Sequence, residues 1–161
     1  MVSAIRRAVS RDWRESRAIR LEALQDAPLA FATTYAQAAD FSEEVWRQRI
    51  VDSAQFLAIL DGVVVGTATG LVDPEDSGVV LLLAMYVSPS ARGQGIGEQL
   101  VSTVVAHARA QGARRVRLYV VETNSGAERL YARCGFVRTG ATIPLPHRPE
   151  LLEHEMTLDL T

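Results

Sequence analysis

The stretch "LLLAMYVSPSARGQGIGEQL", residues 81–100, decides how this chain is expected to fold. An apolar run stops at Ser88-Pro89, three alternating glycines follow, and an amphipathic segment then begins. A strand that passes through glycines into a helix leaves unpaired N–H groups, and the positive end of the helix dipole, at the turn. Because glycine has no Cβ, an anion can approach these N–H groups closely. The turn therefore predicts a phosphate-binding site.

The composition is that of an ordinary globular protein and predicts one domain over residues 1–161. The 161 residues are 48% hydrophobic and 22% charged. The net charge of -2 gives no electrostatic reason to expect a nucleic-acid partner, and no apolar run approaches the roughly 20 residues of a membrane span. All 17 basic residues are arginine, which excludes chemistry that needs a lysine. The lone cysteine, Cys134, excludes an internal disulfide and predicts a cytoplasmic protein.

Hydrophobic patterning predicts an α/β fold with a mixed, mostly antiparallel sheet of about seven strands and about four helices on both faces. The Asp61-Gly62 pair predicts a type I′ hairpin. A helix near 97–111 between two strands implies that those strands are parallel neighbours. The predicted strands cover residues 2–9, 55–60, 63–72, 79–87, 113–121, 136–140 and 153–160, and the predicted helices start at residues 10, 42, 97 and 124.

The spacing of the glycines separates one kind of phosphate loop from another. Gly93, Gly95 and Gly97 alternate strictly and follow the fourth strand, whereas a dinucleotide fingerprint reads G-x-G-x-x-G after the first strand. A Walker loop needs Gly-Lys-Ser/Thr where this chain has Gly-Glu-Gln. The pattern that fits is Arg-x-x-Gly-x-Gly, starting at Arg92. In this pattern the chain resembles the GNAT superfamily of N-acetyltransferases.

The resemblance implies that the glycine turn wraps the pyrophosphate of acetyl-coenzyme A, which would be the co-substrate, and it implies no metal. Met85, Tyr86 and Val87, at the end of the fourth strand, would offer main-chain groups to the pantetheine arm and the acetyl carbonyl. An amide-rich arm can pair with a strand edge like an extra strand. The implied loop residues are Arg92, Gly93, Gln94, Gly95, Ile96 and Gly97.

A second block, "NSGAERLYARCGF" at residues 124–136, is similar to another segment of the same family. Its family pattern is Asn-x-x-Ala-x-x-x-Tyr-x-x-x-Gly-Phe. The resemblance implies that Asn124 and Ala127 hold the cofactor and that Tyr131 protonates the departing thiolate. Apart from the resemblance, Tyr131 also fits a core aromatic residue on an amphipathic helix. The implied reaction is direct acetyl transfer to a primary amine of a small molecule or peptide in a ternary complex.

The general base and the acceptor are less well defined. The fourth strand carries no ionisable side chain before Tyr86, so no base is assigned. Glu122 is a candidate, but its position favours a solvated charge at a strand end. His147 and His154 are also candidates, and surface or structural roles are favoured for both. Residues 28–37 match the place where family members line the acceptor pocket, and Phe31, Thr33 and Tyr35 are its expected binding residues.

Two alternatives to an acetyltransferase stay open at this point. One is a GNAT-fold sensor that binds acetyl-coenzyme A without turnover, and the other is an enzyme with a different acyl-coenzyme A donor. An arginine facing the acyl end would favour the second, and none is evident on the fourth strand. Exposed edges of the terminal strands would also allow a homodimer.

Overall fold

The computed structural model describes residues 3–161, so Val2 of the predicted first strand lies outside the described residues. Seven strands form: β1 (Ser3–Arg7), β2 (Ala54–Leu60), β3 (Val63–Asp73), β4 (Asp76–Val87), β5 (Arg115–Val121), β6 (Val137–Leu145) and β7 (Arg148–Asp159). Five α-helices accompany them: α1 (Trp13–Asp26), α2 (Tyr35–Ala39), α3 (Glu43–Val51), α4 (Ile96–Ala110) and α5 (Ser125–Arg133). The strands make one sheet in the order β1-β2-β3-β4-β5-β7-β6. The predicted fold class is confirmed.

The sheet is antiparallel except at one place. β4 and β5 are parallel, as the intervening helix α4 implied, and they pair only between residues 79–81 and 115–117. The β2–β3 hairpin turns at Asp61 and Gly62, whose φ angles of 51° and 79° are those a type I′ turn requires. Both local predictions are therefore confirmed.

One helix start differs from the sequence-based expectation, and one helix is additional to it. The helix predicted from Ser10 begins instead at Trp13, after a single 3-10 turn over Ser10–Asp12. Helix α2 lies in a segment expected to be loop or irregular helix. It forms because the Thr34 hydroxyl accepts the Gln37 N–H at 3.2 Å while the Gln37 side chain accepts the Thr34 N–H at 2.9 Å.

Helices cover both faces of the sheet, and each face has its own apolar core. The amphipathic helix α4 buries Leu100, Val101 and Val104 completely against one face. Helices α1 and α3 cover the opposite face and bury Leu24 and Ile50. Burial of each such side chain stabilises the fold by about 1.5–3 kcal/mol. Helix α4 and the helix pair α1 and α3 therefore pack on the sheet through separate apolar clusters.

Strand β6 is the edge of the sheet beyond β7, and all of it except Leu145 is exposed. Homodimer formation through such an edge remains a prediction. Within residues 3–161, no helix combines the length and the apolar character needed to cross a bilayer.

Asp12 ties the end of β1 to the start of α1, and we expect Asp12→Asn to lower the free energy of unfolding by about 1–3 kcal/mol at pH 7. Its carboxylate accepts two hydrogen bonds from Arg6, both at 2.9 Å, and the Val9 N–H at 2.8 Å. These bonds, led by those from Arg6, lower the pKa of Asp12 to about 2. Urea denaturation measures the loss.

The same contact predicts a pH window. Because the folded pKa lies below the unfolded value of about 3.9, this stability is present above pH 4 and disappears as the pH falls toward about 2. The difference in the free energy of unfolding between wild type and Asp12→Asn should become smaller as the pH falls over that range. Asp159→Asn, which removes an exposed partner of Arg115, should change little. Equal losses from the two variants would contradict the assignment.

Candidate active site

The site is built around a break in the sheet. Beyond Leu81, β4 and β5 no longer pair, so the two strands separate and leave a gap. On its other side β4 carries a bulge: Tyr86 pairs with Thr67 and Leu83 with Thr69, so two β4 residues oppose one on β3. Ala84, in the bulge, has a φ of 55°. A left-handed alanine is a strained conformation that must be held by its surroundings.

A cavity of about 1450 Å³ lies at this gap and is lined from both faces of the sheet. Residues from α4 and α5 line one side, and residues from α1, α3 and the segment after α1 line the other. The structure brings most of the predicted site residues to its wall: Phe31, Thr33, Met85, Tyr86, Val87, Arg92, Gly93, Gly95, Ile96, Gly97, Asn124, Ala127 and Tyr131.

The glycine turn forms the N-terminal end of α4 at the cavity wall. Gly95 is the residue before the helix and has a φ of 80°, a left-handed conformation that glycine adopts without strain. A Cβ added to Gly95 would meet no atom within 4 Å, so the space over the turn is open. The free N–H groups of α4 can therefore be reached by an anion from the cavity.

The Arg92 side chain has a structural role rather than a free charge. Its Nε donates to the Val87 carbonyl at 2.9 Å, and its Nη2 donates to Asp26 at 2.9 Å. Asp26 and its neighbour on α1, Glu22, also accept hydrogen bonds from the Tyr86 hydroxyl at 3.1 and 3.0 Å. These contacts fix the end of β4 and the glycine turn against α1. The Tyr86 side chain is buried and faces α1, so the role predicted for Tyr86 in cofactor binding could be met only by its backbone.

The N–H of Val87 points into the gap. The Ser88 N–H donates to the Val65 carbonyl at 2.7 Å, and Val87 is opposite Gly66. Since hydrogen-bonded and non-bonded pairs alternate along an antiparallel ladder, the Val87 N–H is directed away from β3. It is available to stabilise negative charge on an oxygen in the cavity.

Tyr131 lies on α5 at the cavity wall. It is only 8% exposed, and its ring is in edge-to-face contact with the ring of Phe136. Burial, with a smaller contribution from Cys134, raises the pKa of its phenol. The hydroxyl therefore stays protonated near neutral pH and can serve as a donor. Asn124 begins α5 by accepting the Ala127 N–H at 3.2 Å, which sets the position of the helix.

Sequence reasoning missed Glu153, a buried carboxylate on β7 that lines the cavity. It lies opposite Val121 of β5 and Ile143 of β6. Its carboxylate forms no hydrogen bond with any residue in the part of the chain that the structure describes. Burial raises its pKa, and the nearby His147 acts weakly in the opposite direction. A carboxylate of this kind can accept a proton near neutral pH.

Two predicted site residues are not at the cavity wall. Gln94 is exposed at the tip of the glycine turn and does not line the cavity. Tyr35 begins α2, where the Thr34 cap turns the chain outward, and its side chain is 44% exposed. Of the candidate bases, Glu122 is exposed and also lies outside the lining. His147 instead forms a 2.7 Å hydrogen bond with the Phe31 carbonyl, which joins the β6–β7 turn to the segment after α1.

The open N-terminal end of α4, after β4, lies where the resemblance places the glycine turn of the family. The profile of the acetyltransferase (GNAT) family matches residues 17–136, and the chain belongs to that family. It is similar to a mycothiol acetyltransferase from Thermomonospora curvata, with 38% identity over 96 residues that cover 57% of this chain. The match covers only 32% of that longer protein.

Solved structures share the fold along the whole chain. A GNAT-family acetyltransferase from Streptococcus pneumoniae has a TM-score of 0.84 at 20% identity, covering 99% of this chain and 100% of that one. An N-acetyltransferase from Staphylococcus aureus Mu50 has a TM-score of 0.79 at 25% identity and full coverage of both chains.

Proposed function

We propose that this protein is an acetyl-CoA-dependent N-acetyltransferase that moves the acetyl group directly to a primary amine of a small molecule or peptide. The observation that carries the proposal is the cavity, which runs through the β4–β5 gap and is lined from both faces of the sheet. Such a cavity lets a donor on the α4–α5 side meet an acceptor on the α1–α3 side. Both substrates can then be bound at once in a ternary complex.

The donor side fits coenzyme A by its chemistry. The open turn at Gly95 suits an anionic pyrophosphate, and the free edge of β4 suits the amides of the pantetheine arm. When bound, the thioester supplies an activated acetyl group. The Val87 N–H would stabilise the charge that develops on the acetyl oxygen.

Glu153 would act as the general base of the reaction and Tyr131 as the general acid. The C–N bond forms as the C–S bond breaks, so the amine loses one proton and the departing thiolate gains one. Glu153 would take the amine proton, and the Tyr131 hydroxyl would donate to the thiolate. This places the base on β7 rather than on β4, where the sequence offers no carboxylate.

Two measurements test the proposal together. Calorimetry should detect binding of coenzyme A, and thiol release from acetyl-CoA should appear with at least one member of an amine panel. Coenzyme A binding without thiol release from any amine would favour an acetyl-CoA sensor. Release from another acyl-CoA in preference to acetyl-CoA would reassign the donor.

Gly95→Ala should weaken coenzyme A binding about 10-fold, because an alanine strained by about 1 kcal/mol at positive φ disturbs the N–H groups of the turn. Gly112→Ala is a matched control: the φ of Gly112 is 79°, its added Cβ also meets open space, and it follows the far end of α4. Both variants should lose similar thermal stability. Equal dissociation constants for coenzyme A in the two variants would contradict a binding role for the turn.

A further inference from the structure

The arginines that line the cavity divide into two kinds. The four are Arg20, Arg49, Arg92 and Arg133. Arg92 pairs with Asp26 at 2.9 Å, and Arg133 pairs with Glu98 at 3.1 Å. Arg20 on α1 and Arg49 on α3 have no carboxylate within ion-pairing distance among residues 3–161.

The guanidinium of Arg20 lacks hydrogen-bond partners among the described residues for two of its nitrogen atoms. Its Nε and Nη1 are sealed from solvent and have no hydrogen-bond acceptor in the described part of the chain. The guanidinium lies 4.8 Å from the centre of the Phe31 ring. Arg49, which is more exposed, lies over the Phe41 and Trp46 rings at 5.3 and 5.9 Å. Burial, and then repulsion from Arg49, lower the pKa of Arg20 to about 10.

Two cations that line one cavity, neither of them in an ion pair within the described chain, are costly for a folded protein. Contacts with aromatic rings recover only about 0.5–2 kcal/mol each, and leaving buried N–H groups without acceptors costs more. A carboxylate or similar anion would supply those acceptors and match the planar fork of a guanidinium. The arrangement is therefore expected to be completed by a ligand.

The carboxylates that line the cavity also divide into those with a partner and those without one. Asp26 and Glu98 are used by the arginine pairs, and Asp52 accepts a hydrogen bond from Gln48 at 2.7 Å. Glu153 is the lining carboxylate left without a partner within residues 3–161. After the ion pairs are matched, the cavity retains two positive charges, on α1 and α3. It also retains two negative charges: Asp52, whose partner Gln48 is neutral, and Glu153 on β7.

We infer that the acceptor is a zwitterion of the amino-acid type, whose anionic group binds Arg20 and Arg49 while its amine faces Glu153. This inference rests on the proposed acetyl transfer and names the class of acceptor. The anion could instead belong to the acyl group of a dicarboxylic donor such as succinyl-CoA. The acceptor is favoured because both arginines stand on α1 and α3, across the sheet from α4 and α5.

The test compares the standard amino acids with their α-carboxamides as acceptors, using wild type, Arg20→Met, Arg49→Met and Arg14→Met. Arg14→Met is the matched control, because Arg14 is also on α1 and also lies 4.8 Å from an aromatic ring, that of Trp13, but is exposed and outside the cavity lining. Wild type should prefer the free acid by about 10- to 100-fold in kcat/KM. The preference should approach 1 in Arg20→Met and Arg49→Met and persist in Arg14→Met.

Thermal denaturation separates ligand binding from a structural role. Arg20→Met should raise the midpoint in the absence of ligand, since it removes an unmatched charge. A lower midpoint, together with unchanged acceptor preference, would overturn the inference and make Arg20 a support for Phe31. With coenzyme A present, an amino acid should raise the midpoint of wild type but not that of Arg20→Met.

The remaining outcomes are also decisive. Carboxamides that react as well as free acids would overturn the acceptor class and leave acetyl transfer standing. A wild-type preference for succinyl-CoA that is lost in the arginine variants would assign the anion to the donor and overturn the inference. If no acceptor reacts although coenzyme A binds, the proposed function fails, and the ligand-induced midpoint shift still decides whether the arginines bind the amino acid.

Discussion

Glu153→Gln is expected to lower kcat/KM for acetyl transfer by about 10²- to 10⁴-fold, the range typical of a lost general base. The amide keeps the size of the side chain but cannot accept the amine proton. Because burial raises the pKa of Glu153, wild-type activity should fall as the pH drops through that raised value. In the pH profile of the variant, this fall in activity on the acidic side, the acidic limb, should be absent. Steady-state kinetics over a pH series measures both effects.

The same substitution should stabilise the folded protein at neutral pH. A raised folded pKa means that the native state disfavours the carboxylate, so the stability penalty is absent below the unfolded pKa and complete above the folded pKa. Glutamine carries no such penalty. A higher midpoint of thermal unfolding at pH 7, combined with low activity, is therefore expected for Glu153→Gln.

Glu155→Gln provides the control on the same strand and the same face. Glu155 accepts hydrogen bonds from Tyr119 at 3.1 Å and Thr139 at 2.8 Å, lies 3.5 Å from Arg117, and is not part of the cavity lining. Its substitution should preserve activity and reduce stability, the reverse of Glu153→Gln. If both variants keep wild-type rates, or if Glu153→Gln keeps its acidic limb, β7 does not supply the base.

The fold could be predicted from sequence because its signals are local. The Asp61-Gly62 pair specifies a hairpin by its backbone preference, and the glycine turn before α4 specifies a strand-to-helix junction. The bulge of β4 could not be predicted, since the residue with positive φ is Ala84 and alanine gives no such signal. It is imposed by pairing with β3 on one side and by the lost pairing with β5 on the other.

The part of the cavity that we propose for the acceptor depends on long-range contacts, so its residues could not be predicted from sequence. Glu153 reads as one of two glutamates flanking a histidine, and only the insertion of β7 between β5 and β6 turns it inward. Arg20 reads as an ordinary charge on an amphipathic helix. Conversely, Tyr35 looked like part of the acceptor wall, but the Thr34 cap directs it to solvent. The residues predicted for cofactor binding lie in two contiguous blocks, and most of them line the cavity.

Tyr131→Phe should lower kcat by about 10²- to 10³-fold while leaving the KM for acetyl-CoA nearly unchanged. The ring would keep its edge-to-face contact with Phe136, so only the hydroxyl is lost. Since burial raises the pKa of the phenol, the hydroxyl acts chiefly as a hydrogen-bond donor to the developing thiolate. Its effect therefore appears in the step that breaks the C–S bond, which single-turnover kinetics would isolate.

Two further tyrosine variants test whether Tyr131 is the general acid. Tyr35→Phe alters an exposed tyrosine away from the cavity and should be silent. Tyr119→Phe alters a second tyrosine of the cavity wall, whose hydroxyl is already donated to Glu155 at 3.1 Å. Because that hydroxyl is occupied, Tyr119→Phe should cost far less than Tyr131→Phe. A large loss confined to Tyr119→Phe would move the acid from α5 to β5, and an unchanged rate in Tyr131→Phe would remove it from the mechanism altogether.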